Sequence, residues 1–145
     1  MKKLLLTISF IINATSVSAE YAEALKDLEV LAKQGDLATQ IKLASAYRKG
    51  LGVRQDYKTA VKWFTLAAEQ GDTLAQYNLG RLYYLGQGVT ENIVYAHMWA
   101  NQSSINGFSM GEELTELLIE LMSPVQIEEA RRLEIECVNK NYKGC

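Results

Sequence analysis

Large apolar residues recur along the chain at the spacing of a helix face, and the same arrangement occurs twice. Leu43 and Tyr47 lie four residues apart, and Leu79 and Tyr83 repeat this pair 36 residues later. Positions four apart lie on the same side of an α-helix. Each copy therefore predicts one helix that buries a single face, and the recurrence of the two tyrosines places them in the core.

Glycine and aspartate mark the expected ends of these helices. Gly35-Asp36 returns as Gly71-Asp72. Glycine suits the left-handed end of one helix, and aspartate caps the start of the next. We therefore predict first helices over residues 37–49 and 73–85. Gly80 lies inside the second of them, where glycine costs about 1 kcal/mol against alanine, so it indicates the close approach of a neighbouring helix.

A second helix is predicted in each copy, after a loop that contains two glycines. It carries an alanine and a tryptophan three residues apart, first Ala60 with Trp63 and then Ala96 with Trp99. Because the tryptophans recur at one repeat position, we expect both in the core. The residues that can cap the starts of these second helices are Asp56 and Asn92.

The two copies are identical at ten of 36 positions, where unrelated segments of ordinary composition would share about two or three. A fixed period of this length indicates stacked units, each of which buries its apolar face on the next. We therefore predict an all-α protein, an α-solenoid of antiparallel helical pairs with about six helices after residue 19. Its expected parts are a half-repeat, two full repeats, a degenerate capping repeat and a tail, at residues 20–34, 35–70, 71–106, 107–139 and 140–145.

The third unit departs from the first two. Ser109 and Glu112 fit a capping box, with the serine as N-cap. The glycine loop is missing, and a tight join replaces it. There Ser123 can cap the last helix, with Pro124 at its first position and Gln126 at its third. We expect this unit to act as a terminal cap of the stack.

The first nineteen residues have the pattern of a secretory signal peptide. Lys2 and Lys3 precede the apolar segment Leu4–Ile12, and Val17 and Ala19 are suitable residues before a cleavage site. A membrane anchor is the alternative, but a spanning helix needs about 20 apolar residues. We therefore expect cleavage after Ala19, a single domain over residues 20–145, no stable membrane insertion, and a periplasmic or secreted location.

The balance of charges narrows the classes of partner. The 145 residues carry a formal net charge of −2, which becomes −4 without residues 1–19 because these contain two lysines and no acid. General nucleic-acid binding requires a basic surface that displaces counterions from phosphates. We therefore expect no nucleic-acid partner.

The repeat resembles a known helical family. The segment from Leu79 to Val89, Leu-Gly-x-x-Tyr-x-x-Gly-x-Gly-Val, followed by Ala96-x-x-Trp99, is similar to the Sel-one-like repeat, a short relative of the tetratricopeptide repeat. The segments at 95–101 and 122–132 resemble the ends of short bacterial secreted members. The resemblance implies an α-solenoid that holds protein partners, and it supplies no shared catalytic residue. The chain departs from the family in having only two complete typical repeats.

Cys137 and Cys145 are the only cysteines. In an exported protein an even, local pair predicts a disulfide, which would fasten the tail to the last helix. A loop of this length contributes roughly 2–3 kcal/mol on the chain-entropy model. The alternative is a redox or metal pair, but the spacing is not Cys-x-x-Cys and His97 is the only histidine. We expect no metal and no cofactor. Several secreted members of the family end with a similar pair.

Side chains that could support catalysis lack suitable neighbours. His97 replaces Val61 of the previous repeat, so we interpret it as a partly packed helix residue. Some cysteine-rich relatives have been linked to penicillin binding or hydrolysis, and a serine acyl-enzyme of that type needs Ser-x-x-Lys. No serine here has a lysine three residues on, although Thr39 and Thr59 do. We therefore predict no catalytic residue. The acids expected on a solvated helix face are Glu112, Glu113, Glu116 and Glu120.

Partner contacts are expected on the first helices, which line the concave side of such stacks. Arginine and tyrosine are common interface residues. Arg48, Lys49 and Arg81 fall one repeat or one turn apart, which predicts a mildly basic groove for an acidic or C-terminal carboxylate segment. Ordinary solvated side chains are an equally good interpretation. The candidate contact residues, which differ between the repeats, are Ser45, Arg48, Lys49, Tyr77, Asn78, Arg81 and Tyr84.

These observations predict a monomeric, non-catalytic interaction scaffold or adaptor in the bacterial envelope, which binds a protein or peptide segment on its concave face. Two alternatives come from other classes. The first is a hydrolase that acts on cell-wall or β-lactam compounds, and turnover of such a compound would identify it. The second is a secreted host-interaction effector, and detection outside intact cells would favour it.

Overall fold

The computed structural model describes residues 20–145, and the predicted signal peptide with its cleavage site after Ala19 lies outside them. This part of the chain contains seven helices and no strand. The prediction of an all-α solenoid is confirmed, with one helix more than the expected count of about six. The helices are α1 (20–33), α2 (Leu37–Lys49), α3 (Tyr57–Ala68), α4 (Thr73–Leu85), α5 (Ile93–Ile105), α6 (Ser109–Leu121) and α7 (Pro124–Asn139).

The first helices of the two full repeats, α2 and α4, have the predicted bounds. The Asp36 carboxylate accepts a hydrogen bond from the Thr39 N–H at 2.7 Å, and Asp72 accepts one from the Ala75 N–H at 2.7 Å. These bonds satisfy backbone donors that the first turn leaves free. At the other end, Gly50 and Gly86 adopt left-handed conformations and end both helices.

The second helices begin at the predicted caps. Asp56 accepts hydrogen bonds from the N–H groups of Lys58 and Thr59, at 3.0 and 3.2 Å. Asn92 caps α5 in the same way, at 3.0 and 3.1 Å. Both cap residues have extended backbones. Each loop thus ends at one polar side chain that fixes where the next helix starts.

The predicted capping box at Ser109 is wrong. Ser109 is the first residue of α6, and Phe108 occupies the N-cap without a side-chain hydrogen bond. Phe108 stands 36 residues after Asp72, at the position where both full repeats have aspartate. Its ring packs edge-on against Tyr77, with centroids 5.3 Å apart. The contact with the neighbouring helix therefore takes the place of a polar cap.

The predicted capping box of the last helix is confirmed. The Ser123 hydroxyl accepts from the Gln126 N–H at 3.3 Å, and the Gln126 side chain accepts from the Ser123 N–H at 2.9 Å. Pro124 lies at the start of α7. Because the glycine loop is missing, α7 begins five residues before the position that the repeat period gives. It packs on α5, and its contacts with α6 are few.

The core contains both recurring tryptophans, as predicted. Trp63 and Trp99 are almost fully buried, together with Phe64. The recurring tyrosines Tyr47 and Tyr83 lie at the edge of this core and are half-buried, which is less than expected. Burial of the aromatic rings of α3 and α5 is the main hydrophobic contribution of the second helices.

Gly80 lies where α4 and α5 meet. A Cβ atom on this residue would lie 2.9 Å from the carbonyl oxygen of Ala96 and 3.1 Å from the backbone nitrogen of Ala100. Real side chains rarely tolerate such distances, so the two backbones need glycine here. The close helix approach predicted from the sequence is confirmed.

The first helices of the two full repeats, α2 and α4, each have one buried glutamine that connects the helix to its neighbours. The Gln40 amide donates to the carbonyl of Ala32 at 2.9 Å, and Gln76 donates to the carbonyl of Ala68 at 3.4 Å. Each glutamine oxygen in turn accepts a bond from the end of the following second helix. The donors are Gln70, at 2.8 Å from Gln40, and Asn106, at 3.2 Å from Gln76. These bonds repeat with the sequence and fix how one unit stacks on the next.

The tail folds back on the stack. The sulfur atoms of Cys137 and Cys145 lie 2.08 Å apart, which is disulfide distance, as predicted. The N–H of Gly144 donates to the Glu69 carboxylate at 2.8 Å, and the N–H of Tyr142 donates to the Cys137 carbonyl at 2.9 Å. The tail is therefore joined to α7 by its cysteines and to α3 by a hydrogen bond.

Candidate interaction surface

The three first helices present one continuous surface. α2, α4 and α6 each have 13 residues and begin 36 residues apart, so equivalent positions point to the same side of the stack. We name this surface the first-helix face. It is the side of α2, α4 and α6 on which the equivalent residues Ser45, Arg81 and Leu117 lie.

On α2 the predicted contact residues differ in exposure. Ser45 and Arg48 are half-buried, and Lys49 is exposed. The Nε atom of Arg48 is buried and has no hydrogen-bond acceptor within residues 20–145. The carbonyl of Arg48 accepts a bond from the Gln55 side chain at 2.8 Å. The backbone at this end of α2 is thus held by the loop, while Lys49 is exposed and Arg48 is partly covered.

On α4 the predicted residues form an aromatic and cationic cluster. The Arg81 guanidinium lies 5.8 Å from the centroid of the Tyr77 ring, within cation–π range. Phe108 packs against the same ring. Tyr84 is half-buried one turn further along the helix. Phe108 was missed in the sequence, although the 36-residue period places it after α5, beside the start of α6.

Asn78 differs from the other predicted contact residues. It is 6% exposed, and its amide donates to the Leu74 carbonyl within α4 at 2.8 Å. Its second amide hydrogen and its amide oxygen are buried with it, so a partner on the surface cannot reach them. Asn78 is therefore not a contact residue of the first-helix face.

His97 is more buried than expected and has a charged neighbour. It is 5% exposed, and its Nδ1 atom lies 3.2 Å from a carboxylate oxygen of Glu134, whose side chain is 14% exposed. The two groups are within ion-pair distance but lack hydrogen-bond alignment. The sequence did not indicate Glu134, because it lies on α7, far along the chain. The pair joins α5 to α7.

Other candidate chemical groups have structural roles or face solvent. The Thr59 hydroxyl donates to the Asp56 carboxylate at 2.6 Å, so it belongs to the cap of α3. Within residues 20–145, no three histidine, cysteine, aspartate or glutamate side chains form a group that could hold a metal ion. The acids of α6 are all exposed, as expected; they are Glu112, Glu113, Glu116 and Glu120.

Hydrogen bonds shift the pKa values of two cap carboxylates. The bonds from Thr39 lower the pKa of Asp36, and the bonds from Thr59 lower the pKa of Asp56. Burial raises the pKa of Tyr83, and burial together with a hydrogen bond to Glu29 raises that of Tyr47. These shifts belong to helix ends and core edges. They do not mark a reaction centre on the first-helix face.

None of the helices in residues 20–145 has the length and the apolar content needed to cross a bilayer.

Two segments of the chain match the Sel1 repeat, at residues 38–72 and 73–108. These segments coincide with the two full repeats seen in the structure. No curated protein sequence matches the chain.

Two solved structures are similar to the chain over most of its length. One is c5321, a protective antigen of uropathogenic Escherichia coli with an SLR fold, at 30% identity and a TM-score of 0.76; the alignment covers 82% of this chain and 27% of that one. The other is a Sel1 repeat protein from Oxalobacter formigenes, at 30% identity and a TM-score of 0.57, covering 70% and 44%. The chain thus spans about a quarter of one relative and less than half of the other.

Proposed function

Because the chain belongs to the Sel1-repeat proteins, whose repeats generally mediate protein interactions, we propose that it is a non-catalytic interaction module that holds a protein segment on its first-helix face. The observation that carries the proposal is the cluster of Tyr77, Arg81 and Phe108. Tyrosine and arginine are among the residues most enriched at interface hot spots.

The proposal is tested by affinity capture from an envelope fraction of the source cell. The baits are residues 20–145 and the double variant Arg48→Glu with Arg81→Glu. The matched control reverses two exposed basic residues on second helices, Lys58→Glu with Arg131→Glu. We expect the wild type and the control to retain the same protein and the test variant to lose it. Equal capture by all three baits would contradict the proposal.

We also propose that the chain works outside the cytoplasm. The support is the cysteine pair at disulfide distance, because disulfides persist in oxidising compartments, together with the predicted signal peptide. Fractionation with thiol labelling tests this. We expect the chain in the periplasmic or extracellular fraction, beginning at Glu20 and without free thiols. Cytoplasmic chain with two reactive thiols would contradict the location.

The same fractionation distinguishes a periplasmic adaptor from a secreted effector. The relative c5321 is described as a protective antigen, which favours testing whether this chain also reaches the cell exterior. Chain recovered mainly from the culture medium would support the effector. Chain recovered mainly from the periplasm would support the adaptor.

A further inference from the structure

The first-helix face changes its charge from one end of the stack to the other. The penultimate residues of the three first helices are Arg48, Tyr84 and Glu120. They form one row that runs from a cation through an aromatic ring to a carboxylate. The last residues of the same helices lie next to these three and are counted with the row. They are Lys49, Leu85 and Leu121.

The charges at the two ends of this row are not neutralised within residues 20–145. Arg48, Lys49 and Glu120 take part in none of the ion pairs found there. Arg132 on α7 shows the opposite arrangement, since its guanidinium bonds both Glu129 and Glu136. Both ends of the row therefore keep charges that an external segment can pair with.

Exposed apolar side chains line the row on the middle helix, α4, and on α6 beside Glu120. Leu85 is 48% exposed, and Leu117 and Leu121 are 43% and 54% exposed. Tyr84 stands between them and the basic end, half-buried. Large apolar side chains that lie side by side on the surface are a common feature of interaction sites.

The width of the surface sets the length of the segment that can cross it. The first helices pack mainly on the second helices between them. Because a helix with its side chains is about 10–12 Å wide, the outer first helices, α2 and α6, lie roughly 20 Å apart. An extended chain advances about 3.3 Å per residue, and roughly six residues span that distance.

We propose that the first-helix face binds an extended peptide with an acidic end, an apolar centre and a basic end, the charged ends being about six residues apart. The acidic end pairs with Arg48 and Lys49, the apolar centre lies on Tyr84 and the exposed leucines, and the basic end pairs with Glu120. This inference rests on the proposed function and adds the charge pattern of the partner to it.

The test is a selection of short random peptides displayed on phage, against the immobilised residues 20–145. Each of two variants gives both ends of the row the same sign of charge. The acidic variant is Arg48→Glu with Lys49→Glu, and the basic variant is Glu120→Lys. Lys58→Glu with Arg131→Glu is the control. Circular dichroism checks that each variant folds, and Lys49→Glu alone replaces the acidic variant if Arg48→Glu unfolds the chain.

The wild type and the control should select peptides with opposite charges on either side of an apolar centre. The acidic variant should select peptides with bases at both ends, and the basic variant peptides with acids at both ends. A wild-type peptide should bind each variant about fivefold more weakly, as expected for exposed ion pairs.

Three results would overturn the inference. One is the same peptides selected by all four proteins. Another is that the wild type enriches no peptide in the phage selection. In that case the affinity-capture experiment still tests the proposed function separately. The third is concentration-dependent dimerisation of the wild type that the acidic variant abolishes, because the row would then pair with a second copy of the chain.

Discussion

The two full repeats and the third unit have first helices in the same register, but their second helices differ. All three first helices begin 36 residues apart, so their register is kept through α6. The second helices do not keep it. Trp99 of α5 is 1% exposed, whereas Ile135, which stands 36 residues later on α7, is 64% exposed. The third unit thus repeats the first-helix surface without repeating the packing behind it.

The buried glutamines show the same difference. Gln40 and Gln76 bond the preceding helix, and the third unit has the exposed Glu112 at that position. The second helix of this unit, α7, packs on α5 out of register with the repeat, while α6 still extends the first-helix face. The first-helix face therefore continues into the third unit although the packing behind it does not. The four predictions that follow concern this difference.

The largest expected effect is the loss of a recurring tryptophan. Trp99→Ala should lower the free energy of unfolding by about 3–5 kcal/mol, because it leaves a large cavity in the core. Ile135→Ala, at the equivalent position of the third unit, should change it by less than about 0.5 kcal/mol. Urea unfolding followed by circular dichroism measures both. Similar losses would show that α7 keeps the repeat register after all.

Removal of the disulfide comes next. Cys145→Ser with Cys137→Ser should lower the free energy of unfolding by roughly 2–3 kcal/mol, because the unfolded chain regains the conformational freedom that the disulfide-closed loop had removed. The same decrease should follow reduction of the wild type, which serves as the control. Unfolding midpoints that do not respond to reduction would mean that the tail adds no constraint.

The glutamine bonds should have a smaller effect. Gln76→Ala removes the hydrogen bonds of the side chain to the Ala68 carbonyl and to Asn106, while the Ala68 carbonyl keeps the Gly71 N–H as a donor. The loss of such hydrogen bonds should lower the free energy of unfolding by about 0.5–1.5 kcal/mol. Glu112→Ala, the matched change in the third unit, removes an exposed side chain and should be nearly neutral. Denaturant unfolding of both variants checks this. Comparable losses of unfolding free energy in the two variants would show that the Gln76 hydrogen bonds do not stabilise the stacking.

The smallest effect concerns acid. Because the folded-state pKa values of Asp36 and Asp56 are lowered, their contribution to stability is full above the unfolded-state pKa and is lost as the pH falls through the folded-state pKa. The third first helix has Phe108 instead of a carboxylate cap. Carbon-detected NMR titration should give midpoints for both aspartates below about 3.9, the ordinary pKa of an aspartate in an unfolded chain. Midpoints above that value would contradict the role of these caps.

Most of the repeat was predictable, because its signals are local. Gly35 and Asp36 fix a helix boundary through their own backbone and side chain, so α2 and α4 matched the sequence prediction to the residue. Ser109 satisfied the same local pattern, yet it is the first residue of α6, and the N-cap is Phe108, whose ring packs on Tyr77. That contact depends on how α4 and α6 meet, which a local pattern does not contain.

The parts that were not predicted depend on distant residues. The recurrence of Gln40 and Gln76 was visible, but their partners are backbone carbonyls of the preceding helix, which have no sequence signature. His97 and Glu134 meet only because α7 crosses α5 out of register. The change of charge along the first-helix face was not predicted, because the sequence marks the third unit only as a cap.

The most direct test of the account is site-specific photo-crosslinking in the source cell. A photoreactive phenylalanine derivative replaces Tyr84 on the first-helix face, and Lys58 on α3 in the control. We expect a discrete crosslinked adduct from position 84 and none from position 58. Equal adducts from both positions, or adducts from position 58 alone, would contradict the claim that the first-helix face holds the partner.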